Sequence, residues 1–162
     1  MHKKLAAEIG RLLKKKRRTV SIAESCTGGL VSSAVTEVPG SSAYFIGTIV
    51  AYHNGVKSSL LDVPKQLLSR YGAVSAETAR SLAGNVRKKL VSDYGLAVTG
   101  IAGPTGGSKA KPVGLVYVGL ATKKESTVKK FIFKGSRLSV RNQAVQKALA
   151  FLKQTLLATQ GS

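Results

Sequence analysis

One stretch limits the possible folds more than any other: Thr19-Val20-Ser21-Ile22-Ala23, followed by Glu24-Ser25-Cys26-Thr27-Gly28-Gly29. Its first part is apolar and β-branched, which predicts a strand over Thr19–Ala23. The segment from Leu30 to Val35 reads as helix. A strand therefore ends in a small, hydroxyl-rich turn that opens a helix. Two glycines let a ligand approach the backbone closely. The first N–H groups of a helix have no intrahelical partner and favour an anion. The turn is expected to hold a nucleophile, Ser25, and part of a phosphate site.

Charge comes next. Twenty-six Lys and Arg against seven Asp and Glu give a net charge of +19. Such a balance invites a nucleic-acid partner. However, the basic residues are spread along the chain with few aromatics between them, and no helix-turn-helix, zinc-finger or RNA-recognition pattern is present. A solvated basic surface that attracts anions is the favoured reading, with nucleic acid the alternative. Cys26 is the only cysteine, so no internal disulfide is expected, and two separated histidines, His2 and His53, argue against a metal site. No cofactor is expected. No apolar run approaches the roughly 18 residues that cross a bilayer. Met1-His2-Lys3-Lys4 is basic, but no apolar signal core follows it, so a cytoplasmic location and no membrane partner are expected.

The chain order completes the fold class. Leu5, Ile9, Leu12 and Leu13 recur at helical spacing and predict a helix over 3–16. It ends in the basic cluster Lys14 to Arg18, which suits a helix C-terminus better than a targeting signal. The helix after Gly28 stops near Val38-Pro39-Gly40. A second strand is expected over 44–52, a turn at His53-Asn54-Gly55, and short helices over 56–61 and 64–70. Ser75 is a suitable N-cap for a helix from Ala76 to about Val91. A third strand, Tyr94 to Thr99, leads into the second glycine-rich loop, Gly100-Ile101-Ala102-Gly103-Pro104-Thr105-Gly106-Gly107-Ser108. Strands over 113–121 and 127–133 form a hairpin, and a long helix closes the chain from Arg137 to Ala158. Gln160-Gly161-Ser162 are expected to fray. The expected architecture is one α/β domain over 1–162: a mixed sheet of about five strands covered by helices on both faces, in three layers.

Several linked motifs then carry a resemblance. They are Ala23-Glu24-Ser25-Cys26-Thr27-Gly28-Gly29, Pro39-Gly40-Ser41-Ser42, Tyr52-His53-Asn54-Gly55-Val56-Lys57, Gly72-Ala73-Val74-Ser75, the loop Gly100 to Gly107, and Lys111-Pro112-Val113-Gly114. In this order they resemble the CinA C-terminal domain family, which is similar to the PncC nicotinamide mononucleotide amidohydrolases. Some members carry a further N-terminal domain, which is not expected within these 162 residues. The resemblance implies hydrolysis of nicotinamide mononucleotide to nicotinic acid mononucleotide and ammonia. It implies Ser25 as nucleophile and Lys57 as its base, with Tyr52 nearby. Substrate would be held by the first turn (Thr27, Gly28, Gly29), by Ser42 and Asn54, by the second loop (Gly100, Ala102, Gly103, Thr105, Gly106), and by Arg137 and Arg141. The chain departs from the family in one place: Gly135-Ser136-Arg137 lacks an acidic residue after the glycine.

The residues themselves leave alternatives. Cys26 competes with Ser25 as nucleophile. Glu24 reads as a general base, as a residue orienting Thr27 or Lys57, or as a partner for surplus cations. Tyr52 reads as a hydrogen-bond donor, as a stacking face for a pyridine ring, or as core. Thr27 and Ser41-Ser42 read as phosphate ligands or as helix caps. A homo-oligomer, with a dimer favoured, is expected because small α/β enzymes often complete pockets across a symmetric interface.

Overall fold

The computed structural model describes residues 2–159; the expected fraying of Gln160-Gly161-Ser162 lies outside them. Five strands form one sheet: β1 Val20–Glu24, β2 Phe45–Val50, β3 Tyr94–Gly100, β4 Leu115–Ala121 and β5 Ser126–Ile132. Their order is β2-β1-β3-β4-β5. β1 runs parallel to both β2 and β3, whereas β3–β4 and β4–β5 are antiparallel. The helices are α1 Lys3–Lys16, α2 Leu30–Thr36, α3 Asn54–Leu61, α4 Lys65–Tyr71, α5 Ala76–Lys89 and α6 Arg137–Ala158.

Side-chain alternation divides the core into two layers. Ile22, Leu96, Val98, Val116 and Val118 face Ile9 and Leu13 of α1, Val31 and Val35 of α2, and Ala144, Ala148 and Leu152 of α6. Their strand neighbours Ala23, Ala97 and Ala121 face the other way, onto Leu61 of α3 and Leu82, Ala83 and Val86 of α5. The sheet is thus buried on both faces, as its continuous apolar strands require.

The second face uses small residues for a physical reason. A Cβ at Gly95 would stand 2.1 Å from the carbonyl oxygen of Ala83, and one at Gly119 would stand 2.4 Å from that of Ala79. Helix α5 therefore rests its own backbone on the sheet. Gly95→Ala must push the helix outward, and a loss of about 1–3 kcal/mol in urea unfolding is expected.

The topology also fixes where a ligand can sit. β1 leads to α2 on the first face, whereas β2 leads to α3, α4 and α5 on the second. With the order β2-β1-β3, chain direction switches beside β1. Open α/β sheets bind ligands at such a switch point, beyond the carboxyl ends of the strands. Both glycine-rich segments emerge there, one after β1 and one after β3.

Two segments differ from expectation. The second strand is shorter than 44–52: Ala51 still gives its N–H to the Glu24 carbonyl, but its own carbonyl and that of Tyr52 turn to Lys57. His53-Asn54-Gly55 is not a free turn. His53 caps α3, its Nδ1 accepting the Gly55 N–H, and the helix begins at Asn54.

Candidate active site

Lys57 lies one turn into α3. Helical side chains lean towards the helix N-terminus, so Lys57 reaches back to the end of β2. Its Nζ donates to the carbonyls of Ala51 at 2.8 Å and Tyr52 at 3.0 Å, and it stands 3.1 Å from Ser25 Oγ. The side chain is 1% exposed. Removal from water penalises the charged amine and lowers its pKa below the ordinary lysine value, outweighing the opposing pull of Cys26. Ser25 follows β1 directly, and its N–H bonds the Val98 carbonyl of β3. The hydroxyl is thereby held by two strands.

An amine so placed has a defined hydrogen-bond arithmetic. As an ammonium, its three hydrogens meet three acceptors. As a neutral amine, two hydrogens remain on the carbonyls and the lone pair faces the Ser25 hydroxyl. The second state is a base aligned on a nucleophile.

Cys26 is differently placed. Its thiol is buried, and burial chiefly, with Glu24 adding to it, pushes its pKa up to about 12. A thiol held neutral is a poor nucleophile. Both Ser25 and Cys26 line the cavity, but the hydrogen bond from Lys57 goes to Ser25.

Glu24 corrects the phosphate expectation for this turn. Its carboxylate is 1% exposed and accepts from the N–H groups of Gly29, Val31 and Ser32 and from the hydroxyls of Thr27 and Ser32. The anion at the start of α2 is the protein's own. Glu24 is neither paired with a surface cation nor turned towards Lys57. Thr27 is fully buried with its hydroxyl committed to Glu24, and Gly29 gives its N–H to the same carboxylate. Gly28 gives its N–H to the Ser25 carbonyl. All three shape the turn rather than line the cavity.

The cavity has a volume of about 260 Å³. Ser25, Lys57, Tyr52, Asn54 and Arg137 line it together with Gly100, Ala102, Gly103, Thr105 and Gly106 of the second loop. Ser42 does not. It lies in the short turn before β2, and β2 is parallel to β1, so Ser42 stands at the opposite, amino-terminal end of the strands. Arg141 is also absent from the lining. Its Nε donates to the Cys26 carbonyl at 3.1 Å and a terminal nitrogen donates to the Thr27 carbonyl at 2.9 Å. It braces the turn after β1 from α6. Arg137, one turn earlier, reaches over the cavity, donating to the Gly103 carbonyl at 2.8 Å and the Tyr52 hydroxyl at 2.9 Å. Tyr52 is 59% exposed, which removes it from the core.

Sequence reasoning passed over Thr99 and Ala73, which form one wall. The Thr99 hydroxyl donates to the Ala73 carbonyl at 2.8 Å and so ties the end of β3 to the segment before α5. The position of Thr99 immediately before the glycine loop was the available signal. Among the described residues, no three His, Cys, Asp or Glu side chains gather as metal ligands, and no helix is long and apolar enough to cross a membrane.

Comparison with known proteins gives the family. The family model of the CinA C-terminal domain matches residues 2–156. The chain belongs to the CinA C-terminal domain family. A CinA-like protein of Endomicrobium trichonymphae is 50% identical over 154 residues, covering 95% of this chain and 36% of that protein. A CinA-like protein of Desulfotalea psychrophila is 46% identical over 149 residues, covering 92% and 36%. The chain thus spans about a third of the length of these curated CinA relatives. Among solved structures, the competence/damage inducible protein CihA of Agrobacterium tumefaciens superposes with a TM-score of 0.92 at 37% identity, covering 96% of this chain and 94% of that one. A CinA superfamily protein from Klebsiella pneumoniae gives a TM-score of 0.94 at 26% identity, covering 98% and 99%. The five-stranded mixed sheet with helices on both faces is therefore the CinA architecture.

Proposed function

We propose that this CinA domain is an amidohydrolase that converts nicotinamide mononucleotide and water to nicotinic acid mononucleotide and ammonia. The observation that carries the reading is the 3.1 Å contact of Lys57 Nζ with Ser25 Oγ, with the other two donor directions of Nζ held by carbonyls. Ser25 Oγ attacks the carboxamide carbon while its proton passes to neutral Lys57. The resulting ammonium returns that proton to the departing nitrogen, and ammonia leaves. Water then attacks the acyl ester, again giving a proton to Lys57, and the nicotinic acid product and the Ser25 hydroxyl are released. Tyr52 offers an exposed aromatic face at the cavity mouth, suited to the pyridinium ring of the substrate. That cation would further disfavour a charged Lys57.

The test is joint detection of ammonia and nicotinic acid mononucleotide from the purified protein. Equal amounts of the two are expected; release of free nicotinamide instead would reject the reading. A pH series adds a second check. Lys57 must be neutral to act, so kcat/KM is expected to rise with pH. Because burial lowers the Lys57 pKa, the midpoint of that rise should fall below the ordinary lysine value. A rise whose midpoint stands at or above the ordinary lysine value, or no rise at all from acid to alkaline pH, would count against Lys57 as the base.

A further inference from the structure

We propose that β2 is a docking edge for a second copy of this chain. Two copies join along it, antiparallel, about a two-fold axis at Thr48, and their sheets run on as one.

β2 ends the sheet, with β1 as its one neighbour. Ala51 gives its N–H to the Glu24 carbonyl of β1. Backbone groups of alternate strand residues point to the same side, so Gly47 and Ile49 also face β1, whereas Thr48 and Val50 face away. Ile46 is skipped in the register with β1. Among the described residues, no backbone group outside the sheet bonds the N–H or carbonyl of Ile46, Thr48 or Val50. An open row of donors and acceptors is a template for another strand.

The side chains of that row match themselves. Ile46 is 48% exposed and Val50 43%, and they stand two residues either side of Thr48. With the two-fold at Thr48, Ile46 meets the partner's Val50 and Val50 meets the partner's Ile46. Thr48 stands opposite its own copy. Cross-strand apolar pairs and Thr–Thr pairs both stabilise a sheet.

Charge selects the occupant. At +19, two copies repel each other wherever their cations meet. From Val38 to Val56 the chain carries no Lys, Arg, Asp or Glu. α2, which packs on β2, has no charged residue, and α3 has only Lys57, which is buried. The opposite edge is defended: β5 carries Lys129 and Lys130, as edge strands that must stay single commonly do. An acidic partner gains nothing from a neutral edge, whereas a strand of the same composition fits it. Lys14 stands over the Tyr44 ring just before β2. Antiparallel docking holds the two copies of Lys14 at opposite ends of the joined edge. The same register sets Tyr52, at the cavity mouth, beside the start of the partner strand, so each site lies next to the other chain.

Light scattering reads the mass, and a cross-link reads the register. Wild type should scatter at twice the 17.0 kDa chain mass at micromolar concentration. Val50→Lys sets ammonium groups into the pairing and should fall to the single-chain mass. Ile132→Lys, on the exposed part of β5, should remain a dimer. Thr48→Cys under mild oxidation should run as a disulfide-linked dimer on a non-reducing gel. Facing Cα atoms in a hydrogen-bonded antiparallel pair stand about 5.5 Å apart, within disulfide reach. Thr127→Cys, exposed on β5, should stay unlinked, and so should wild type, whose Cys26 is buried. Circular dichroism during heating shows whether Val50→Lys is folded; if it is not, the cross-link decides. A monomeric wild type overturns the proposal. So does a dimer that survives in folded Val50→Lys, or a Thr48→Cys variant that stays unlinked.

Discussion

Lys57→Met is expected to lower kcat/KM for nicotinamide mononucleotide by about 10³-fold, within the span attributed to a positioned general base. Methionine keeps most of the unbranched stem that fills the buried channel and removes only the amine. The carbonyls of Ala51 and Tyr52 each lose a donor. Against that, the fold no longer buries an ionisable group, so the variant should remain folded. Circular dichroism during heating distinguishes the two outcomes, a dead folded enzyme or a lost fold. Lys57 and Ser25 act on one proton. Their effects should therefore not add: Ser25→Ala, Lys57→Met and the double variant should all fall to a similar residual rate. A double variant slower than either single one by the product of their effects would mean that the two residues act independently.

Glu24→Gln is expected to be the most destabilising of the conservative substitutions. The amide has nearly the shape of the carboxylate but only one oxygen, and its NH2 group would be directed at donors. Three backbone N–H groups and two hydroxyls converge on Glu24. Disrupting a buried, charged hydrogen-bond network of this kind costs about 3–5 kcal/mol. For a domain of this size, that corresponds to a fall in Tm of roughly 6–20 °C. The same change should reduce activity, because the turn carrying Ser25 is fixed between Glu24 and the Arg141 guanidinium. An unchanged Tm would show that the network contributes little to the folded state.

Much of this arrangement was legible in the sequence. Thr19 to Ala23 followed by Gly28-Gly29 could be read as a strand turning into a helix, because β-branched runs and paired glycines act locally. The order of elements and the apolar face of α1 followed from local patterns in the same way. What was hidden depends on direction and distance. A helix cap is expected from the residue just before the helix, yet the acceptor for α2 is Glu24, on the far side of the turn. Thr27 was consequently assigned to substrate when its hydroxyl serves that carboxylate. Ser42 resembled a site residue until the parallel pairing of β1 and β2 set it at the other end of the strands. Arg137 and Arg141 share a helical face by spacing, but the packing of α6 decides which one overhangs the cavity and which one braces the turn. The α3 start was missed because His53 caps it through a ring nitrogen, and histidine is not among the preferred N-cap residues.

The central claim is that Ser25, and not its neighbour Cys26, attacks the substrate under the influence of Lys57. Its most direct test is ammonia release from nicotinamide mononucleotide by wild type, Ser25→Ala and Cys26→Ala, side by side at alkaline pH. The predicted result is loss of release in Ser25→Ala, with Cys26→Ala still turning over. Release that survives in Ser25→Ala and disappears in Cys26→Ala would contradict it.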